Sequence, residues 1–112
     1  MQYILLIYSA ESDDAAQPPS LMTEFGAFTQ GIVQNGNFKS ADRLKPVATA
    51  TTVRVREGKT LTTDGPFAET REQLGGYYLV EAKDLDAAAA IAAKIPSARF
   101  GSIEVRPIFQ MV

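Results

Sequence analysis

The 112-residue sequence contains no cysteine and no histidine. Without cysteine the chain can form no disulfide bond, and nothing in its composition indicates an oxidising compartment. The two absences together exclude a Ser-His or Cys-His nucleophile pair and an ordinary zinc site, so no metal site is predicted. Gly75 and Gly76 lack the spacing and the Lys-Ser/Thr pair of a phosphate-binding loop, so no cofactor is predicted either. Any acid–base chemistry would depend on a carboxylate, a tyrosine or a lysine.

An excess of basic charge and a long apolar run are also missing. Eleven Lys and Arg against thirteen Asp and Glu give a net charge of −2. Nucleic acid is therefore not expected as a partner, because binding of phosphates requires clustered Lys and Arg. The apolar run over residues 1–8 is too short to span a bilayer and lacks a signal cleavage site. We expect one folded domain over residues 1–112, located in the cytoplasm and without a membrane partner.

Two segments have the periodicity of amphipathic helices. The first is predicted over residues 20–35, where four apolar side chains fall on one face: Leu21, Phe25, Phe28 and Ile32. Ser20 is expected to cap its start, and Gly36 suits the position just after its end. The second helix is predicted over residues 84–94, with Asp84 as its cap and Pro96 preventing its continuation.

Five stretches have the composition of β-strands: residues 2–8, 51–56, 59–63, 76–81 and 103–109. Residues 57–58, Glu-Gly, are expected to form the tight turn of a hairpin, whereas residues 11–19 and 37–49 are expected to be irregular. The order β–α–β–β–β–α–β predicts an α+β, ferredoxin-like βαββαβ fold with an extra hairpin strand in an antiparallel sheet. Two helices can cover only one face of such a sheet, yet residues 2–8 are apolar on both faces. A second copy is expected to cover the other face, which predicts a homodimer.

The segment over residues 62–78, TTDGPFAETREQLGGYY, combines an Asp-Gly-Pro-Phe turn with several charged residues and a glycine pair. Its order of residues resembles the DGPF-domain branch of the YCII-related family, whose namesake quartet is residues 64–67 here. Three further stretches match: LKPVATATTVRVREGK, GGYYLVEA and GSIEVRPI. The resemblance implies a ferredoxin-like subunit that pairs into a dimeric α+β barrel. It also implies an association with extracytoplasmic-function sigma factors, whose genes often lie beside those of family members. Some members of the wider family carry a His-Asp pair, which cannot exist in this chain.

Asp64 is the strongest candidate for acid–base chemistry. Pro66 restricts the residue before it, and with Phe67 it could partly desolvate the neighbouring carboxyl, which would raise the pKa of Asp64. A single helical turn over residues 71–74 is expected to follow, because Thr70 and Gln73 have capping-box spacing. In the alternative interpretation, Asp64 accepts backbone hydrogen bonds within a turn and Phe67 fills the core.

The remaining candidates lie on neighbouring segments. Arg54 and Arg56 share one strand face and are candidates for holding an anionic ligand, with pairing to Asp64 or Glu69 as the alternative. Pro66, Phe67, Glu69 and Arg71 complete the predicted ligand-binding set, with solvated surface ion pairs as the favoured alternative for Glu69 and Arg71. Tyr78 is a second catalytic candidate, with a core position as the alternative. Glu104 and Arg106 are interpreted as a structural pair.

Three functions are compatible with these patterns. The first is a small-molecule enzyme that uses Asp64 as general acid or base in a cavity of the dimer. The second is a ligand-binding or regulatory module without chemistry, and the third is a purely structural dimer. The first requires a cavity that reaches Asp64, the second a cavity without a poised titratable group, and the third no cavity.

Overall fold

The computed structural model describes residues 1–110 of the chain. Its elements follow in the order β1 (Gln2–Ser9), α1 (Glu11–Ala15), α2 (Ser20–Gln34), β2 (Phe38–Arg43), β3 (Thr51–Arg56), β4 (Lys59–Asp64), β5 (Gln73–Glu81), α3 (Leu85–Ala92) and β6 (Ser102–Pro107). Short 3₁₀ helices lie at Val47–Thr49 and Pro96–Arg99. The longest helix of the described part has 15 residues, and no helix there is long and apolar enough to cross a membrane.

Four strands form an antiparallel sheet in the order β2-β5-β1-β6. The elements of this sheet, β1-α2-β2-β5-α3-β6, give the predicted ferredoxin-like βαββαβ arrangement. The predicted hairpin, β3 and β4, forms a separate two-stranded sheet inserted between β2 and β5. Its turn, at Glu57 and Gly58, has positive φ values of 52° and 74°, as the tight turns of β-hairpins require.

The core lies between one face of the four-stranded sheet and the helices. Alternate residues of β1 are buried, and Leu5 and Val80 of the two central strands are 0% exposed. Ile32 of α2 and Ala88 of α3 are buried against them, and Phe25 and Phe28 pack at the edge of this cluster. The apolar stripe predicted for the first helix is therefore the stripe that reaches the core.

The other sheet face carries no helix from the described part of the chain. We call it the open face; its centre consists of Ile4, Leu6, Tyr8, Tyr77 and Leu79, all only partly buried. Polar side chains surround this centre: Ser40, Asp42, Glu81, Ser102, Glu104 and Arg106. Burial of β1 on both faces, as the sequence predicts, is thus not reached within a single chain.

Several local predictions are wrong. β2 was expected to be irregular because FKSADR is largely polar, but it pairs only with β5 at a sheet edge, where polar residues are tolerated. α1 forms where a loop was expected, with three acidic residues in its first turn. Ser20 is the first residue of α2 rather than its cap and makes no capping hydrogen bond. No helical turn forms over residues 71–74, because β5 already begins at Gln73.

Two predicted features of the helix termini are confirmed: the cap at the start of the second helix and the glycine after the first helix. Asp84 caps α3, since its carboxylate accepts a hydrogen bond from the backbone N–H of Ala87 at 2.9 Å. α3 ends at Ala92, two residues before the predicted end. Gly36 follows α2 with a φ of +78°, a left-handed conformation that glycine adopts without a steric penalty.

Candidate functional site

A cleft of about 400 Å³ lies between the start of α2 and the sheet where β1, β2 and β5 meet. Its wall is mostly apolar and includes Ile7, Pro18, Leu21, Met22 and Phe25. Polar residues line it at few positions: Ser9, Asp14, Gln17, Arg43, Tyr78 and Ser97. Asp42 and Tyr77 also border it, although their side chains belong to the open face. Clefts of about 300–1,000 Å³ with an apolar wall and a few polar groups are typical of small-molecule sites.

Ser9 and Asp14 form a hydrogen-bonded pair within the cleft. Ser9 ends β1 and is 4% exposed. Its hydroxyl lies 2.7 Å from Oδ1 and 2.9 Å from Oδ2 of Asp14, and donates to this carboxylate. Asp14 lies on α1, so this bond attaches the short helix to the end of the central strand.

Ser97 contributes the second buried hydroxyl of the cleft. It is 3% exposed, and its Oγ has no hydrogen-bond partner in the described part of the chain. Its backbone carbonyl accepts from the N–H of Gly101 at 2.8 Å, and Gly101 packs against Ser9. The loop that carries Ser97 therefore lies beside the end of β1. A buried hydroxyl without a partner is rare in folded proteins, since its desolvation is uncompensated.

Tyr78 belongs to the hydrophobic core and also lines the cleft. It is 6% exposed, and its ring packs edge-to-face on Phe28 with 5.1 Å between ring centroids. Its hydroxyl lies 2.7 Å from Oγ1 of Thr29, which in turn donates to the carbonyl of Phe25. Because Thr29 has a single proton to donate, Tyr78 is the donor of the bond between them. The core alternative for Tyr78 is the one that the structure supports.

Arg43 lies at the cleft's outer edge, whereas the side chain of its neighbour Asp42 lies on the open face beside Tyr77. The hydroxyl of Tyr77 donates to the Asp42 carboxylate at 2.9 Å. This hydrogen bond, followed by the negative charge of Asp42, raises the pKa of Tyr77 above its ordinary value. The guanidinium of Arg43 contacts the Met22 sulfur at 3.5 Å and forms no ion pair within residues 1–110. Arg43 is therefore a cation at the entrance of the cleft that has no carboxylate partner within the described residues.

Asp64 and its neighbours lie outside this cleft. Asp64 ends β4 opposite Thr51 and is exposed, so the expected desolvation does not occur in the single chain. Its carboxylate has no hydrogen-bond partner in the described residues, which contradicts the turn-cap interpretation. The N–H of Gly65 instead donates to the carbonyl of Ala50 at 2.7 Å. Phe67 is 79% exposed and does not fill the core of its own chain. Pro66 is partly buried but is not part of the cleft wall.

Arg54 and Arg56 lie on the hairpin, opposite Leu61 and Lys59. Directly paired residues of an antiparallel hairpin point to the same face, so these side chains form one face together. Asp64 belongs to the other face, with Thr51, and the alternative pairing of the arginines with Asp64 is wrong. None of the three ion pairs found within residues 1–110 includes Arg54, Arg56 or Glu69.

Arg71 lies beside a shallow second depression, whose other residues are Tyr8, Thr70, Glu72, Ser102, Ile103 and Glu104. The hydroxyl of Ser102 donates to Glu72 at 2.8 Å. Glu69 and Arg71 are exposed. Glu104 and Arg106 form the predicted pair, through hydrogen bonds from the guanidinium to one carboxylate oxygen.

Sequence reasoning missed Ser9, Asp14 and Ser97. A serine at the end of an apolar strand is an ordinary strand terminus, and ESDDA carries no motif. Ser9 and Ser97 come together because β6 pairs with β1 and brings the loop before it to the end of β1. No spacing in the sequence signals that proximity.

The sheet order, the helices on one face and the cleft at the strand ends define a ferredoxin-like α+β protein with a candidate small-molecule site. The family model described as "YCII-related domain" matches residues 1–112, and the chain therefore belongs to the YCII-related family. It is similar to "Uncharacterized protein R00369" of Rhizobium meliloti (strain 1021), with 38% identity over 114 residues. The alignment covers 96% of this chain and 92% of that protein. The family expected from the sequence is thus confirmed.

Proposed function

We propose that the protein binds a small, largely apolar molecule that carries at least one hydrogen-bonding group, in the cleft beside Ser9 and Ser97. The observation that supports this most is the buried Oγ of Ser97, which has no partner in the described chain. A ligand hydroxyl, carbonyl or amine at this point would satisfy it. The apolar wall would hold the ligand's body.

Binding alone accounts for these features, which favours a ligand-binding or regulatory module over an enzyme. The cleft contains a carboxylate at Asp14, but its two oxygens already share the single hydroxyl proton of Ser9. An enzyme based on Asp64 requires a second copy, because Asp64 is exposed and outside the cleft. We also propose, from residues 64–67, that the chain belongs to the DGPF branch of the family. That membership makes an association with extracytoplasmic-function sigma factors the natural context for a regulatory module.

Benzyl alcohol and toluene test the proposal as a matched pair, since they share the apolar ring and differ in the hydroxyl group. Titration of the ¹⁵N-labelled protein should shift the backbone amides of Ser9, Gly75, Gly76 and Ser97 more than those elsewhere. Benzyl alcohol should bind more tightly than toluene, by a factor of about 2–10 for one hydrogen bond of ~0.5–1.5 kcal/mol.

Two variants test whether the preference for benzyl alcohol over toluene arises at Ser97. Ser97→Ala should reduce the preference for benzyl alcohol to nearly none while toluene binding stays unchanged. Ser102→Ala, at an exposed serine outside the cleft, is the control and should keep the preference. Amide shifts scattered over the surface, or a preference that survives Ser97→Ala, would refute the proposed site.

A further inference from the structure

The hairpin formed by β3 and β4, residues 51–64, stands apart from the rest of the chain. None of the twelve strand residues is buried, and only Thr52 is partly buried. Hydrogen bonds at its base involve Ala50, Thr52 and Gly65, the residues that enter and leave the hairpin. A two-stranded hairpin is marginally stable in water unless one face packs against another surface. We call residues 51–64 the arm.

The two faces of the arm differ in chemistry. Val53 and Val55 are 58% and 59% exposed, and their cross-strand partners on the same face are Thr62 and Thr60. The opposite face carries three cations: Arg54, Arg56 and Lys59. The face of Val53 and Val55 carries no cation, and its single charge, Asp64, lies at the end of the arm, which is compatible with a strand pair that has one buried face. No surface within residues 1–110 of its own chain buries that face.

The exposed area of the chain is larger than that of a compact monomer. The structure exposes 7797 Å². A monomeric protein of 12.1 kDa is expected to expose about 6,000 Å², so the excess is about 1,800 Å². The radius of gyration of 15.9 Å also exceeds the ~13 Å of a compact domain of this length. A standard interface buries about 800 Å² per partner, so the excess is sufficient for a stable dimer.

The charges of the arm and of the remaining chain are opposite in sign. Residues 51–64 contain three cations and two anions, Glu57 and Asp64, which gives a net charge of +1. The whole chain has a net charge of −2, so the remaining residues carry −2 − (+1) = −3. Opposite charges on two surfaces steer their association. Every copy carries both a net positive arm and a net negative body, so the charges favour the approach of two copies. The three cations lie on the face opposite Val53 and Val55 and are not part of the proposed contact.

We propose that the arm is a docking element for a second copy of this chain, and that its Val53 and Val55 face packs on the body of that copy. In a twofold symmetric dimer both arms are buried at once, because each copy supplies one arm and one body. This contact is additional to any pairing of the two open faces. It also carries Asp64, which ends β4, into the vicinity of the second copy.

Sedimentation velocity of the full chain at micromolar concentration tests this. The wild type should be a dimer, and the double variant Val53→Asp/Val55→Asp should raise the dimer dissociation constant at least about 100-fold. The control Leu61→Asp/Thr63→Asp adds the same charge to the opposite face of the same hairpin, where Leu61 is 49% exposed. It should leave the dissociation constant within about threefold of the wild type.

All four altered side chains are exposed or at the surface of the single chain, so both variants should fold, as amide spectra can verify. The contact itself is located by mixing ¹³C-methyl-valine-labelled and unlabelled copies. Intermolecular nuclear Overhauser effects from the methyl groups of Val53 and Val55 would support the proposal. A monomeric wild type would overturn it, as would a dimer whose affinity is the same in the Val53→Asp/Val55→Asp variant.

Discussion

The hydroxyl groups of Tyr78 on β5 and Thr29 on α2 lie 2.7 Å apart, and this bond attaches the helix to the sheet inside the core. Tyr78→Phe removes the donor, while Thr29 can still donate to the carbonyl of Phe25. We expect the free energy of unfolding to fall by about 0.5–1.5 kcal/mol. Chemical denaturation measures it. Tyr8→Phe, on the open face, is the control and should change it by less than about 0.5 kcal/mol.

A double-mutant cycle with Thr29→Val separates this bond from general loss of packing. Coupling between the two positions of at least about 0.5 kcal/mol is expected for residues in direct contact. Additive effects would mean that the two hydroxyl groups contribute independently, contrary to the geometry.

Asp64 should tolerate replacement. Its carboxylate is exposed and accepts no hydrogen bond within residues 1–110. Asp64→Asn and Asp64→Ala should each change the free energy of unfolding of the single chain by less than about 0.5 kcal/mol. A lost cap would instead cost about 0.5–2 kcal/mol in the alanine variant and much less in the asparagine variant. That second pattern in chemical denaturation would restore the turn-cap interpretation.

The adjacent glycines of β5 should respond oppositely to the same substitution. A Cβ at Gly76 would lie 2.9 Å from the backbone oxygen of Asp42, a contact that the paired strand cannot relieve cheaply. Gly76→Ala should therefore destabilise the fold by about 1–3 kcal/mol. At Gly75 the nearest atom is 4.0 Å away, so Gly75→Ala should be neutral or stabilising by about 0.4–1 kcal/mol. Equal melting temperatures for the two variants would contradict this assignment.

The pKa of Tyr77 is raised, so its neutral form is favoured in the folded state. The resulting stabilisation is fully present below the unfolded pKa of about 10 and is lost as pH rises through the higher folded value. NMR of ¹³Cζ-labelled tyrosine should show Tyr77 titrating above 10.0. Asp42→Asn removes the charge beside it and should lower that midpoint. A midpoint that does not move would show that Asp42 is not the cause.

We predict that the open face takes part in a homodimer interface of at least about 1,200 Å² in total. Leu79 lies at its centre, between Ile4 on β1 and Ser40 on β2. Leu79→Asp should weaken dimerisation in light scattering, because it would place an unpaired charge in the interface. Lys39→Ala, at an exposed residue of the neighbouring edge strand, changes the net charge by the same one negative unit and is the control. A Leu79→Asp variant that dimerises as tightly as the wild type would exclude the open face.

Periodicity and capping predicted the architecture well because both reflect local physics. The stripe from Phe25 to Ile32 requires only helical spacing, and the cap at Asp84 requires only the next three residues. The edge strand β2 was not predicted because its sequence does not alternate between apolar and polar residues. Its extended conformation depends instead on its pairing with β5. Tertiary pairing overrides composition at such edges.

The candidate site could not be predicted to the same degree. Asp64 and Phe67 belong to a conspicuous sequence motif, but the segment that carries them follows the hairpin and does not line the cleft. Ser97 has no unusual neighbours in the sequence, and its significance depends on burial without a partner. Burial of one hydroxyl depends on the packing of distant elements, which no local pattern encodes.

The insertion of the arm between two paired strands also affects how the chain folds. Residues 44–72 separate the end of β2 at Arg43 from the start of β5 at Gln73, yet Arg43 pairs with Gly76. Closing a loop of that length costs about 2 kcal/mol more entropy than closing a four-residue turn. Pairing of β2 with β5 is therefore a non-local step, and so is pairing of β1 with β5, since β1 ends at Ser9 and lies farther still along the chain. Replacing residues 44–72 with a short turn would make β2 and β5 a local hairpin and would give the sheet one pairing with a low closure cost.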